Sequence, residues 1–226
     1  MSSSNLTKIL AIETSSDACS VAVTDGHSDY SFHELMPRQH TESLLTVIDN
    51  LLNSASLDIK SLDVVAVGCG PGSFTGIRLA CSTAQGISIS QNIKGIVVPS
   101  LDLLASSVNR SESAKKIVSI VDANMDRLYL GEYSYSGELL KNSELTSIPR
   151  SAFNPSKYDE ETFFVGEGCK LVLDSIKKVS NQISFELPSA SELLYIAREK
   201  HASKDTVISE KILPIYLTEE SNWVKS

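Results

Sequence analysis

The sequence predicts an α/β protein built from an internal duplication of a β-β-β-α-β-α unit. Three observations carry that prediction. Short apolar runs alternate with segments of helical period. A glycine-rich turn links a strand to a helix in the first half. Most telling, Ile12-Glu13-Thr14-Ser15-Ser16-Asp17 and Val121-Asp122-Ala123-Asn124-Met125-Asp126 share one plan: an apolar strand, an acid at its end, a polar turn with a second acid, then a partner strand. Strands interleaved with helices imply mixed sheets with helices on their faces.

The elements run in order along the chain. Residues 8–14 (KILAIET) read as a buried strand and Cys19 to Thr24 as a second, with Asp25-Gly26 supplying the turn. A third strand, Tyr30 to Met36, completes a meander. From Thr41 the period changes: Leu44, Leu45, Ile48, Leu51, Leu52 and Ala55 form one helical stripe, with Glu42 in the first turn, where the macrodipole favours an acid. Val64 to Gly68 is continuous and apolar, as suits a central strand. A helix is expected from about Thr75 to Ser90, a strand at Ile96 to Val98, and a helix to about Asn109 with Ser100 as its N-cap. The plan then recurs, with strands at Ile117 to Asp122, Leu128 to Tyr135 and roughly Glu138 to Ser147. Next come a strand at Phe163 to Val165, a helix near Lys170 to Lys178 and another at Ser191 to His201, and Ile212 to Leu217 closes the chain. The expected lobes are residues 1–105, with the partner-binding surface, and residues 106–226, with the C-terminal helix and tail.

Composition narrows the function. The 226 residues carry 20 Lys+Arg against 28 Asp+Glu, a formal charge of −8, so this chain is not expected to be the main grip on a polyanion. The first residues lack a basic n-region, and the apolar stretch from Ile9 to Ile12 is shorter than the about 7–15 residues of a signal h-region or the roughly 18 of a membrane span. The four cysteines, Cys19, Cys69, Cys81 and Cys169, form no CxxC pair and read as buried free thiols in a reducing compartment, the cytoplasm. His27, His33, His40 and His201 make no HxxxH pair, and no GxSxG elbow is present. No metal and no cofactor are expected.

Two motifs remain. The turn from Gly68 to Gly76 fits neither standard phosphate loop: no Lys-Ser/Thr follows at the required spacing, and Pro71 removes a donor. Gly70, Gly72 and Gly76 read instead as sites of close approach by another helix or chain. The acids Glu13 and Asp122, with Thr14 and Ser15, could flank a phosphate, but no glycine lies between Thr14 and Ala18 to admit one. At most this is a vestigial nucleotide site; the bland alternative is that these groups end strands and solvate turns. Separately, Arg38, His40, Thr41 and Glu42 head the first long helix, and Phe74, Thr75 and Arg78 head the second. Their apolar stripes could meet another chain or face only their own sheet. The tail carries the only tryptophan, Trp223, beside Lys225, as a docking anchor or a segment packed back.

Five segments in order resemble the TsaB (YeaZ) family: ILAIETSSDACSVAV, MPRQHTESLL, GPGSFTGIRLACSTAQGIS, DANMDRLYLGEY and PIYLTEESNW. The motif from Gly70 to Arg78 is the most specific, and the resemblance spans nearly the whole chain. It implies a duplicated ribonuclease H-like fold of the actin/Hsp70 (ASKHA) class, in two lobes. It implies a non-catalytic subunit for forming the threonylcarbamoyl group on the adenosine beside the anticodon, in tRNAs that read ANN codons. The implied partner is a TsaD-type transferase, in a heterodimer that a TsaE-type ATPase joins, with tRNA engaged only through the complex. TsaD-like enzymes carry metal-binding histidines that are missing here, which reads as a scaffold or activator. The implied interface is Arg38, His40, Thr41, Glu42, Leu44, Leu45, Ile48, Phe74, Thr75, Arg78 and Leu79, and the chain alone is expected to pair as a homodimer. The rival readings are an autonomous ATP-binding enzyme of the same fold and a peptidase acting on the partner.

Overall fold

The computed structural model describes residues 6–137 and 139–217; Trp223 and the rest of the tail lie outside them. Two compact units divide the chain. The first runs through Ser100 and takes in Ser189–Ile215; the second holds Leu101–Pro188. The sequence suggested a division after residue 105, with the C-terminal helix in the second lobe. Instead, that helix packs on the first sheet, and the helix after Ser100 turns its apolar stripe to the second.

The first sheet is built from β1 (Ile9–Glu13), β2 (Ala18–Thr24), β3 (Asp29–Leu35), β4 (Val64–Gly68) and β5 (Lys94–Val98), in the order β3-β2-β1-β4-β5. The meander pairs antiparallel, with Ile9 opposite Thr24 and Glu13 opposite Ser20; β1, β4 and β5 run parallel. Alternation divides the two faces. Leu10, Ile12, Val21, Val65 and Val67 meet α1 (His40–Ser54) and α2 (Phe74–Gln91) in one core. On the other face Ile9, Ala11, Ala22 and Ala66 are fully buried beneath α5 (Ala190–Ala202), whose Leu193, Leu194 and Ala197 are buried in turn. The Ser20 hydroxyl accepts from the Ala190 N–H at 2.9 Å, which seats the start of α5 on β2.

Each helix has local causes. In α1 Leu44, Val47, Ile48 and Leu52 make the buried stripe. In α2 the Ser73 hydroxyl caps the Gly76 N–H, and Asn92 in the left-handed region ends the helix. The small buried residues Gly76, Ala80 and Ala84 let α2 lie close to the sheet.

The second sheet repeats the topology. It consists of β6 (Lys116–Asp122), β7 (Arg127–Ser136), β8 (Leu139–Pro149), β9 (Thr162–Val165) and β10 (Ile183–Ser184), in the order β10-β9-β6-β7-β8. Counted within each half, both sheets read 3-2-1-4-5 with the same antiparallel and parallel pairings. That is the duplicated ribonuclease H-like arrangement expected of the actin/Hsp70 class. One face carries α3 (Ser100–Glu112) through Leu101, Leu104, Ala105 and Val108. The other carries residues 167–176. There the expected helix from Lys170 to Lys178 is reduced to α4 (Leu173–Ile176), a single turn after a 3-10 stretch. Gly166 and Gly168 press this stretch against β6: a Cβ on Gly166 would lie 2.4 Å from the Ile120 carbonyl oxygen. Ser100 is the first residue of α3 rather than its cap, because its hydroxyl is engaged elsewhere.

Placing α5 on the first sheet predicts that Leu193→Ala, at a site with no solvent exposure, costs about 2–5 kcal/mol of stability. A shift of the urea unfolding midpoint measures it; an unmoved midpoint would mean that α5 adds nothing to that core.

Candidate partner interface and the strand-end cluster

β1 ends on Glu13, whose carboxylate is wholly buried. Its Oε1 accepts from the Ser15 N–H at 2.5 Å and its Oε2 from the Ser100 hydroxyl at 2.8 Å. The Ser100 Oγ in turn accepts from the Gly70 N–H at 3.2 Å. The carboxylate occupies the space a side chain would take on Gly68: a Cβ there would lie 1.7 Å from Oε2. Burial pushes the Glu13 pKa up, and the bonds from Ser15 and Ser100, with the nearby His40, pull it back only in part.

The hairpin after Glu13 is roofed by the glycine-rich turn. The Ser73 N–H donates to the Ser15 carbonyl at 2.7 Å, and the Thr14 hydroxyl donates to the Gly76 carbonyl at 2.8 Å. The His40 Nε2–H donates to the Ser16 carbonyl at 2.8 Å; its Nδ1 is buried without a partner. A Cβ on Gly72 would stand 2.3 Å from the Ser15 carbonyl oxygen, and one on Gly76 1.9 Å from that of Thr14. The glycines thus admit the chain's own hairpin rather than another chain. In the second unit Asp122 is half-buried, and its Oδ1 accepts from the Asn124 N–H at 2.8 Å. There the turn is Asn124, Met125 and Asp126, three residues of positive φ with Met125 91% exposed. No group of three or more His, Cys, Asp or Glu among the described residues is disposed to hold a metal.

The expected interface residues separate into two sets. Leu44, Ile48 and His40 are buried inside the first unit and unavailable as its surface. The helical stripe that contains Leu44 and Ile48 faces the sheet, and Leu45 lies about 100° around the helix from Leu44. Exposed are Leu45 (66%), Phe74 (59%), Arg38, Thr41, Glu42, Thr75 and Arg78; Leu79 is half-buried. The Arg78 guanidinium lies 3.4 Å from the centroid of the Phe74 ring, a cation–π contact. The sequence reading missed Ile89, 67% exposed; Gly86, read there as a small residue suited to close helix packing, has open space beyond its Cα. The signal was present: Thr75, Arg78, Ser82, Gly86 and Ile89 recur at helical spacing along one side of α2.

Comparison with known proteins places this architecture. A family model described as TsaD, tRNA N6-adenosine threonylcarbamoyltransferase, matches residues 33–152. The tRNA threonylcarbamoyladenosine biosynthesis protein TsaB of Haemophilus influenzae is 32% identical, over 98% of this chain and 97% of that one. Its Escherichia coli namesake is 30% identical, over 96% and 97%. The chain belongs to the TsaB (YeaZ) family. The solved structure of YeaZ from Pseudomonas aeruginosa superposes with a TM-score of 0.81 at 30% identity, over 93% of this chain and all of that one. The family is thus one of tRNA threonylcarbamoyladenosine biosynthesis proteins.

Two predictions come from the cluster. Gly76→Ala is expected to destabilise the fold by about 1–3 kcal/mol or more, since the methyl group would meet backbone; calorimetry measures the fall in Tm, and an unchanged Tm would refute the contact. For Glu13 the folded pKa lies above the ordinary 4.5. As pH rises from there toward the folded value, the wild type loses stability relative to Glu13→Gln, and the deficit is constant above it. Paired urea titrations from about pH 4 to about pH 8 test this; a difference that does not change with pH would mean the carboxyl titrates as in the unfolded chain.

Proposed function

We propose that this chain is a non-catalytic subunit that pairs with a TsaD-type transferase, stabilises and activates it, and helps to recruit a TsaE-type ATPase. The observation that carries the reading is the roofed hairpin. Glu13 is spent on Ser15 and Ser100, and the Ser15 and Ser16 carbonyls are spent on Ser73 and His40. A nucleotide phosphate approaching there would have to displace the glycine-rich turn. The exposed apolar side chains of α1 and α2 add a second support, a surface for a protein partner.

Other features agree. The charge of −8 suits a subunit that leaves the grip on tRNA to its partner. Among the described residues no helix is long and apolar enough to cross a membrane, in keeping with a cytoplasmic complex. The peptidase reading needs a reactive hydroxyl or thiol, and for the thiol form all four cysteines are buried. Burial pushes the Cys19 thiol up to about 11 and those of Cys81 and Cys169 up to about 12. The autonomous-ATPase reading needs access to the first hairpin. In the absence of its partner the same surface would join two copies of this chain.

The test is reconstitution of tRNA threonylcarbamoylation from purified transferase, ATPase and an adenylate source, with and without this chain, scored as modified nucleoside by mass spectrometry. Strong dependence on its addition, with no turnover by the chain alone, is the expected result; modification indifferent to it would overturn the reading. Leu45→Asp is expected to weaken pairing about 30-fold or more, the roughly 2 kcal/mol of an interface hot spot, while leaving the fold intact. Isothermal titration calorimetry would detect it, and a folded variant of undiminished affinity would remove Leu45 from the interface.

A further inference from the structure

Beside Leu45 the first unit has a groove of about 640 Å³, separate from the strand-end cluster. It is lined from α1 by Leu45, Ile48, Asp49, Leu52, Asn53 and the following Ser56. From Leu45 to Asn53 those positions advance along one side of the helix, so its wall of the groove extends about 12 Å parallel to the axis. Ile87 of α2 and the connection through Leu57, Asp58 and Ile59 complete it. Its floor is apolar, with Ile48, Leu52 and Ile87 nearly buried. Its rim is acidic, and both acids are exposed.

Neither acid is neutralised by an ion pair among the described residues. The Asp49 carboxylate accepts only the neutral Asn53 amide, at 3.2 Å, and the Asp58 carboxylate accepts the Lys60 backbone N–H at 2.8 Å. The Lys60 ammonium, two residues away, forms no salt bridge with Asp58. An apolar trough rimmed by two unpaired carboxylates is complementary to one kind of element: an amphipathic helix with an apolar anchor for the floor and Lys or Arg one turn away for the rim. An acidic or purely apolar helix would leave Asp49 and Asp58 facing like charge or desolvated without a partner, which opposes binding.

We propose that this groove receives a basic, apolar-anchored helix of the partner subunit, and that Asp49 and Asp58 select it by charge. The proposal rests on the pairing face of α1 and α2 and extends that face toward the C-terminal end of α1. Charge selection of this kind acts on encounter rate and on discrimination between partners, and it is screened by salt.

The test measures affinity and association rate of the purified TsaD-type transferase for the wild type, Asp49→Lys, Asp49→Lys/Asp58→Asn and Leu45→Asp, at low and high salt. Asp58→Asn keeps an acceptor for the Lys60 N–H, and Asp49 has only the Asn53 contact to lose, so both variants are expected to keep the wild-type Tm. The double variant should bind at least tenfold more weakly at low salt, mainly through slower association, and the gap should close at high salt. If the Asp variants bind as the wild type does while Leu45→Asp fails to pair, the groove proposal is overturned and the pairing face stands. Wild-type affinity in all variants, or no pairing by the wild type itself, would overturn both.

Discussion

The first unit depends on one buried carboxylate. Glu13 joins three segments distant in sequence: its own hairpin through Ser15, the start of α3 through Ser100, and the end of β4 through the space left by Gly68. Ser100 then fixes Gly70 through both its hydroxyl and its N–H, which donates to the Gly70 carbonyl at 2.7 Å. From Gly70 the turn reaches Ser73, which binds the hairpin and caps α2. The position of α2, and so the exposure of Phe74 and Arg78 on it, is set by this chain of contacts. A buried carboxylate is costly unless its acceptor sites are met. Here both oxygens have donors, and the raised pKa of Glu13 is the residual cost of its burial.

The two hairpins show how one topology supports opposite uses of an acid. In the first, Glu13 is buried and roofed. In the second, Asp122 is half-buried and only shapes its own turn, while Asp126 pairs with Arg150 at 2.6 Å. Both acid-bearing turns stand at the end of the first strand of a sheet ordered 3-2-1-4-5. The difference lies in the segment after the fourth strand of each sheet. Gly70 to Gly76 covers the hairpin after β4, through Thr14 and Ser15, whereas Gly166 and Gly168 after β9 press on Ile120 and Val121 of β6 itself. Function therefore cannot be read from topology, only from the side chains that the topology brings together.

Much of the fold was legible because periodicity reports burial. The 2-residue alternation of β2 and the 3.6-residue stripe of α1 survive in the structure within a residue or two. The repeated strand, acid and turn plan correctly announced two equivalent sheets. What the pattern could not report is the identity of the covering surface. Leu44 and Ile48 belong to a buried stripe, but the stripe does not say whether sheet or partner buries it. β10 has two residues and no period to detect. The role of Glu13 was hidden for a similar reason, since its space is defined by an absent side chain at Gly68 and a hydroxyl at Ser100. The clue was the coincidence of a glycine ending β4 and a serine opening the helix after the neighbouring strand β5.

The same limit explains why the proposed pairing face needs more than its exposed apolar residues. Burying Leu45, Phe74 and Ile89 would contribute roughly 5–9 kcal/mol, at about 1.5–3 kcal/mol each. Association costs an estimated 4–15 kcal/mol in lost freedom before any surplus appears. Three side chains from one subunit thus do little more than offset that cost, and they would do so for any apolar partner. Selectivity has to come from groups that penalise the wrong partner: among them are Arg78, which lies against Phe74, and Asp49 and Asp58, which line the groove beside Leu45.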